Sequence, residues 1–329
     1  MKKLTVSASP HVRSSSTVPS IMLDVIIALI PSLIASIVLF GFRSLLVTVV
    51  CVVSCIAFEY ISRKIMKRDT TIGDLSAVVT GMLLAFNLPV SIPLWMCVIG
   101  CFFAIVVIKQ FFGGIGQNFV NPAIGGRIVM LVSFSSAMTK WTAPLEWFKN
   151  GGIDAMSTAT PLASLTANSD FNSLPSLLEM FLGIRGGCIG ETCAVALLIG
   201  FIYLLIRRVI KPVIPVCFVG TVAVIMFIAG KGSFEFMLYE VLSGGLLLGA
   251  IFMATDYATS PLTTKGKVIF AIGCGIITAV IRLFANLPEG VSYSIIIMNI
   301  LVPHIETLTK PLPFGAEKEK KNKKEEAAS

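Results

Sequence analysis

Residues 21–42 read IMLDVIIALIPSLIASIVLFGF, a run whose only charge is Asp24. A helix of about 20 such residues covers the roughly 30 Å of a bilayer's hydrocarbon core. Further apolar segments follow near 44–62, 73–88, 92–111, 119–137, 188–207, 212–230, 234–252, 266–286 and 291–309. With the first they make about ten. Several fall short of the ~20 residues that a perpendicular crossing needs. Short or Gly/Pro-interrupted segments imply tilted or broken helices packed inside protein. The expected fold class is therefore an all-α polytopic membrane protein.

Composition agrees. Of 329 residues, 55% are hydrophobic and only 13% are charged, and mean hydropathy is +0.89. A soluble domain carries about 25% charged residues. The polar stretch Met1–Ser20, with Ser14, Ser15, Ser16 and Thr17, lacks the pattern of a cleavable signal peptide. The first apolar segment is expected to stay as a helix.

The formal charge of +8 gives no reason to invoke nucleic acid, because in a membrane chain the position of each cation matters more than the sum. One set of loops holds Lys2, Lys3, Arg13, Arg63, Lys64, Lys67, Arg68, Lys109, Arg207, Arg208, Lys211, Lys265, Lys267, Lys310 and the lysines of the tail. The other holds Arg43, Lys140, Lys149, Arg185 and Lys231, while Arg127 and Arg282 fall within apolar segments. This bias places both termini in the cytoplasm and the loop 138–187 outside. The expected order is a cytoplasmic segment 1–20, a first membrane repeat 21–137, the extracytoplasmic loop 138–187, a second repeat 188–309 and a solvated charged tail 310–329. Anionic membrane lipid is a further contact open to the tail.

The halves show faint similarity. Val78-Val79-Thr80-Gly81-Met82-Leu83-Leu84 is similar to Val241-Leu242-Ser243-Gly244-Gly245-Leu246-Leu247, and a proline follows each, at Pro89 and Pro261. Five helices on each side of an external loop would make the repeats inverted.

Few residues suggest chemistry unaided. The eight cysteines form no CxxC, and His11 and His304 are the only histidines, so no metal site is expected. Cys51/Cys55 and Cys97/Cys101 read as small packers on helix faces. Cys188 and Cys193 lie near the end of a polar loop. Acidic residues at membrane depth are functional candidates. Asp256, beside Thr255, Tyr257 and Thr259, is the candidate for an ion path. Glu59 is expected to pair with Arg63 at i,i+4. Interfacial placement accounts for Asp24, and Glu191 is expected to open the sixth helix, where its charge suits the dipole. Gly113, Gly114 and Gly116 allow a sharp turn. Asn118 and Asn121 can satisfy the backbone at that break or hydrogen-bond a ring-shaped ligand.

The loop sequence Asp154-Ala155-Met156-Ser157-Thr158-Ala159-Thr160-Pro161 is, by itself, a hydroxyl-rich turn. It resembles the flavin-attachment motif of the family comprising the Rnf complex D subunit and the B subunit of the sodium-translocating NADH:quinone oxidoreductase. Three other stretches extend the resemblance from about Ser9 to Glu306: Gly113 to Ala123, Gly244 to Pro261, and Pro288 to Tyr293 followed by Met298-Asn299. The shorter N-terminus is closer to the Rnf member of the family.

The resemblance implies that Thr160 carries FMN through a phosphoester, attached outside by a flavin transferase. Asp154, Ser157, Thr158 and Ala159 complete the motif, and Thr158 stands where many relatives have Gly. The chemistry calls for an exposed hydroxyl on Thr160. The resemblance also implies a second, non-covalent flavin, riboflavin, for which Asn118 and Asn121 are candidate contacts. It implies a component of a translocase in the cell (inner) membrane, with no catalytic residue of its own. Such a component relays electrons between reduced ferredoxin and NAD, coupled to Na⁺ or H⁺ movement. Its partners would be the A, B, C, E and G subunits of the Rnf complex, with the FMN-bearing G subunit as the outer neighbour. The alternatives are a channel or secondary transporter of the same architecture, and a scaffold that has lost its flavin.

Overall fold

The computed structural model of the chain describes residues 16–145, 147, 160–165, 174–285 and 290–311. The described residues form helices and turns, with no β-strand. Four helices are long and apolar enough to cross a membrane: α1 (Val18–Phe40), α2 (Phe42–Ile65), α13 (Thr264–Phe284) and α14 (Val291–Thr309). A fifth candidate is a pair, α11 (Phe234–Leu242) and α12 (Leu246–Met253), bent by 65° at the break between them. The shorter apolar helices are α3 (Ser76–Phe86), α4 (Leu94–Gln110), α5 (Pro122–Ser133), α9 (Ala194–Ile206) and α10 (Val213–Ala229). Among the described residues three small helices lie between the halves: α6 (Ser135–Met138), α7 (Pro161–Ser164) and α8 (Leu177–Leu182).

Local chemistry sets many of the boundaries. Thr17 caps α1 by accepting from the Ser20 N–H, just ahead of a proline in the first turn. Gly41, at φ 75°, ends α1 and lets α2 begin one residue later. Arg63 and Lys64 stand in the last turn of α2, where cations suit the carbonyl end of the dipole. Ser176 and Glu179 form a reciprocal capping box on α8. The second part of α4, Phe103–Gln110, and the end of α12, Gly249–Met253, are wound as π-helix. Such segments are rare and often sit beside functional sites.

In the first half α2 packs on α3 and α4, and α4 on α5; in the second α10 packs on α11 and α13, and α13 on α14. The halves meet where α1 crosses α9 and where α5 meets α14. Large apolar side chains such as Ile34, Val38, Val53, Ile202, Val224 and Ile300 remain exposed along the outer helices. An exposed apolar surface of this kind belongs against lipid or other apolar protein. The chain is a membrane protein.

Two helices stop inside the protein. The eleven residues of α3 rise about 16 Å, half a bilayer. The chain then continues without a helix until Leu94. Its freed carbonyls are met by other elements: Ile189 N–H donates to Leu88 O (3.0 Å), Gly190 N–H to Phe86 O (3.0 Å) and the Arg43 guanidinium to Ile92 O (3.0 Å). At the other break, between α11 and α12, Arg282 donates to the carbonyls of Glu240 (2.6 Å) and Ser243 (3.1 Å). Irregular backbone in an apolar slab persists only with such partners.

Three sequence expectations need correction. Lys109 does not stand in a solvated loop; it is buried within α4. Glu59 pairs with Lys109 (2.8 Å) rather than Arg63. Glu191 does not open the sixth apolar helix, because α9 starts at Ala194, and Glu191 lies in the preceding turn accepting from the Cys188 N–H. For Glu59 a partner on another helix outweighs the i,i+4 neighbour, while for Glu191 the helix starts three residues later.

Close helix approach depends on glycines, Gly81 and Gly200 among them. A Cβ on Gly81 would lie 2.7 Å from Val52 Cα, and one on Gly200 would lie 2.3 Å from Ala28 O. Replacing Gly200 by Leu is expected to push α1 off α9 and cost about 1–3 kcal/mol or more, as overpacking does. Thermal unfolding of the purified chain in detergent should show a lower midpoint for Gly200→Leu than for Gly220→Leu, because Gly220 has no neighbour within 4 Å.

Candidate functional site

A pocket with about 790 Å³ of unfilled space, part of it open, lies where the two halves meet at the end that holds the start of α1. Ile21, Met22 and Val25 of α1 form one wall and Val79 and Leu83 of α3 another. Leu204, Ile251 and Phe252 close it from the second half. The walls are mostly apolar, with a few polar groups: Ser76, Thr80, Lys109, Asn118, Asn121, Thr255 and Asp256. The lining, apolar walls with a few polar groups, is of the kind that small-molecule sites use.

The three residues singled out from sequence for this region, Asn118, Asn121 and Asp256, come together here. Asn121 is largely committed to the fold. Its Oδ1 caps α5 by accepting from the Ala123 and Ile124 N–H groups, and its Nδ2 donates to Met253 O (3.2 Å), which joins the halves. Asn299 of α14 strengthens that seam. With its amide oriented to satisfy both ends, it accepts from the Asn121 N–H (3.2 Å) and donates to Thr259 O (3.0 Å). Asn118 uses only its Nδ2, on Val120 O (3.0 Å). Its carbonyl oxygen remains available to a ligand. Asp256 caps the turn that follows α12, accepting from the Ala258 N–H (3.4 Å) and Thr259 Oγ1 (3.2 Å). Desolvation raises its carboxyl above the ordinary range, against the opposite pull of those two donors and of Lys109.

Lys109 links the pocket to a buried ion pair. Its ammonium donates to Glu59 Oε2 (2.8 Å) and Ser76 Oγ (2.6 Å), while Thr71 Oγ1 donates to Glu59 Oε1 (2.6 Å). Lys109 and Glu59 side chains are 3% and 0% exposed, so the pair is fully desolvated. Sequence reasoning missed it because the partners are fifty positions apart. The available signal was an acidic and a basic residue inside neighbouring apolar segments. Asp24 also has a specific partner, Arg207 beyond the end of α9 (3.1 Å), and accepts from Tyr203 (2.9 Å).

On the far side lies the loop segment. Asp154, Ser157, Thr158 and Ala159 fall outside the described residues. Thr160 is described, directly before α7, and is only 9% exposed. That differs from the open hydroxyl expected from the modification chemistry. Leu162 and Leu165 bury apolar surface against the bundle and draw Thr160 in with them.

Close by is an arginine-rich core. Arg127 of α5 donates to Asn87 Oδ1 and Ser292 Oγ (3.1 Å). Arg185 donates to the carbonyls of Glu191 (3.0 Å) and Thr192 (3.4 Å). Arg282 adds an ion pair with Glu240 Oε2 (3.1 Å) to its two carbonyl contacts. Cys188 lies within this group, its thiol on Asn87 O (3.3 Å). Among the described residues no cluster of metal-ligating side chains occurs.

Comparison with known proteins extends over nearly the whole chain. The sequence profile of the NQR2, RnfD, RnfE family matches residues 5–315. The chain is 47% identical over 324 residues to the D subunit of the Na(+)-translocating ferredoxin:NAD(+) oxidoreductase complex of Acetobacterium woodii, covering 98% of both chains. It is 40% identical to the D subunit of the proton-translocating ferredoxin:NAD(+) oxidoreductase complex of Clostridium ljungdahlii, covering 94% of this chain and 96% of that one. With the D subunit of the ion-translocating oxidoreductase complex of Escherichia coli strain K12 the identity is 32%, over 95% and 99%.

The ion pair gives a direct test. Lys109→Met strands Glu59 without a counter-charge and is expected to cost about 3–5 kcal/mol. The double variant Glu59→Gln/Lys109→Met should recover most of that loss. Midpoints of thermal unfolding for the four members of the cycle measure the difference.

Proposed function

We propose an electron-transfer role for this chain, which belongs to the NQR2, RnfD, RnfE family. It acts as the D subunit of an Rnf-type ion-translocating oxidoreductase, passing electrons within a complex that connects ferredoxin with NAD and drives Na⁺ or H⁺ across the membrane. The observation that carries this reading is the 47% identity to the D subunit of such a complex, spanning 98% of both chains. The chain does not catalyse the overall reaction alone. The A, B, C, E and G subunits are its proposed partners, with the G subunit beside it on the outer face.

The covalent cofactor is FMN, joined through its phosphate to Thr160 Oγ. The flavin ring supplies electron uptake and release. The chain's own part is to hold the attachment point. Pro161 starts α7, and Leu162 and Leu165 anchor the segment against the bundle. Because Thr160 is buried once the segment is seated, the flavin transferase acts before seating or while the segment is lifted.

The second flavin, riboflavin, occupies the pocket between the halves. What supports this is the fit: apolar walls for the ring system, a free Asn118 carbonyl oxygen, and Thr80, Lys109 and Thr255 as further polar groups. Asn121 supports the pocket more than it contacts the ring, because its amide already serves α5 and Met253. Asp256, on the same wall, is the proposed inner end of an ion path.

The topology proposed is ten crossings in two inverted five-helix repeats. The first comprises α1, α2, α3 with residues 87–93, α4 and α5. The second comprises α9, α10, α11 with α12, α13 and α14. Its support is that the third element of each half is a helix that stops or bends inside the protein. The charge bias supports a cytoplasmic-membrane location with both termini inside and the attachment segment outside.

Expression with an active flavin transferase should give a fluorescent band after denaturation, an FMN-sized mass increment on the peptide holding Thr160, and neither in Thr160→Ala. An intact fluorescent band in Thr160→Ala would overturn the attachment. In the loaded wild type, Asn118→Leu should lower the extractable non-covalent flavin several-fold while the covalent band persists. Unchanged extractable flavin would remove Asn118 from that site.

A further inference from the structure

We propose that the end of α2 and the glycine turn after α4 form a seat for one anionic phospholipid of the phosphatidylglycerol type, with its phosphate on Arg63 and its headgroup hydroxyl on Gln110.

The two side chains come from different helices and meet over one residue. Arg63 stands in the last turn of α2 and is half-buried. Gln110 ends the π-helical part of α4. Gly114, at φ 104°, lies in the turn that follows. A Cβ built on it would lie 2.6 Å from Arg63 Nη2 and 3.8 Å from Gln110 Oε1. The guanidinium therefore rests on the bare backbone of Gly114, and the amide borders the same spot.

The fold uses neither side chain. Arg63 enters no ion pair or side-chain hydrogen bond among the described residues, and its Nε is buried. Gln110 is 0% exposed, and both its Nε2 and its Oε1 lack a partner. The neighbouring charges are already engaged. Glu59, one turn before Arg63, is held by Lys109 and Thr71, and Lys109 by Glu59 and Ser76. Buried polar groups left unmet are costly in a native protein.

The surroundings say what would meet them. Residues 63–69 carry four cations, Arg63, Lys64, Lys67 and Arg68, against one carboxylate, Asp69. Beside them Ile65, Phe111 and Phe112 are 75%, 62% and 50% exposed. Cations next to exposed apolar side chains at the end of a membrane helix suit an anionic lipid, with its acyl chains on the apolar groups. The fork of a guanidinium matches phosphate oxygens. Gln110 narrows the headgroup. Its amide has both a donor and an acceptor to satisfy, and a bare phosphate presents only acceptors. A glycerol hydroxyl donates and accepts. Choline has no donor, and ethanolamine would bring another cation to a cationic patch. Water could serve Gln110 but brings no charge to Arg63.

The test uses the purified full chain, delipidated in neutral detergent. It is returned to micelles containing dioleoylphosphatidylglycerol or dioleoylphosphatidylcholine, with glycerol 1-phosphate as a soluble probe. Native mass spectrometry should show one retained phosphatidylglycerol, and the thermal midpoint should rise with it. In Arg63→Gln and in Gln110→Met the retained fraction should fall several-fold. In Lys231→Gln, a cation beyond the far end of α10, it should not change. Lipid-free midpoints of the two seat variants should match the wild type, because neither side chain has a partner to lose. Lowered lipid-free midpoints with unchanged lipid retention would make both residues structural and overturn the seat. Equal retention of phosphatidylcholine would overturn it too. If glycerol 1-phosphate alone gives the full rise in midpoint, the occupant is a soluble phosphate and the lipid assignment falls. If the intact complex holds no lipid while Arg63 is shielded from phenylglyoxal, a neighbouring subunit fills the site and the lipid is again overturned.

Discussion

Backbone that leaves the helix inside an apolar slab must find hydrogen-bond partners within the protein, and that requirement shapes this molecule. Each lost pairing costs free energy in a medium without water. The end of α3 is met by the turn 186–191, with Ile189 and Gly190 bonding Leu88 and Phe86. The end of α11 is met by Arg282. A guanidinium suits this use because its several N–H groups reach two carbonyls and a carboxylate together. Remove these partners and the breaks cannot persist at depth.

The broken helices also frame the functional geometry. The pocket lies at the other ends of these helices, lined by Val79 near the start of α3, by Asn118, by Ile251 in the π-helical end of α12 and by Asp256 beyond it. At the α11–α12 bend, Gly244 leaves room for Leu162, so the segment that follows Thr160 settles there. The membrane protein thus carries its two candidate cofactor positions at opposite ends of the same pair of broken helices. The buried Lys109–Glu59 pair lies beside the first. A desolvated pair of this kind is weak support for stability and better explained by what it positions, here Ser76 at the pocket wall.

Much of the fold was legible in sequence, for a physical reason. A bilayer imposes a length and a polarity on every crossing, so the segments near 21–42, 44–62, 266–286 and 291–309 declare themselves by composition alone, and the four long apolar helices of the structure overlie them. Segments too short for a perpendicular crossing, such as 73–88, implied tilted or broken helices, and the structure ends α3 at Phe86. The likeness of residues 154–160 to an attachment motif was also readable, since such a motif is local. What spacing misread were Glu59 and Glu191, where a near neighbour or a helix dipole seemed sufficient.

The sequence by itself determined that this is a helical membrane protein and which family it resembles, because hydropathy and short motifs are properties of contiguous residues. Only the tertiary structure decided the partners: Glu59 with Lys109, Asp24 with Arg207, Arg282 with the end of α11, and Asn121 with Met253. Those pairs join residues from about forty to nearly two hundred positions apart. Inside an apolar protein a charge takes whichever counter-group the packing delivers, and packing is set by the whole chain at once.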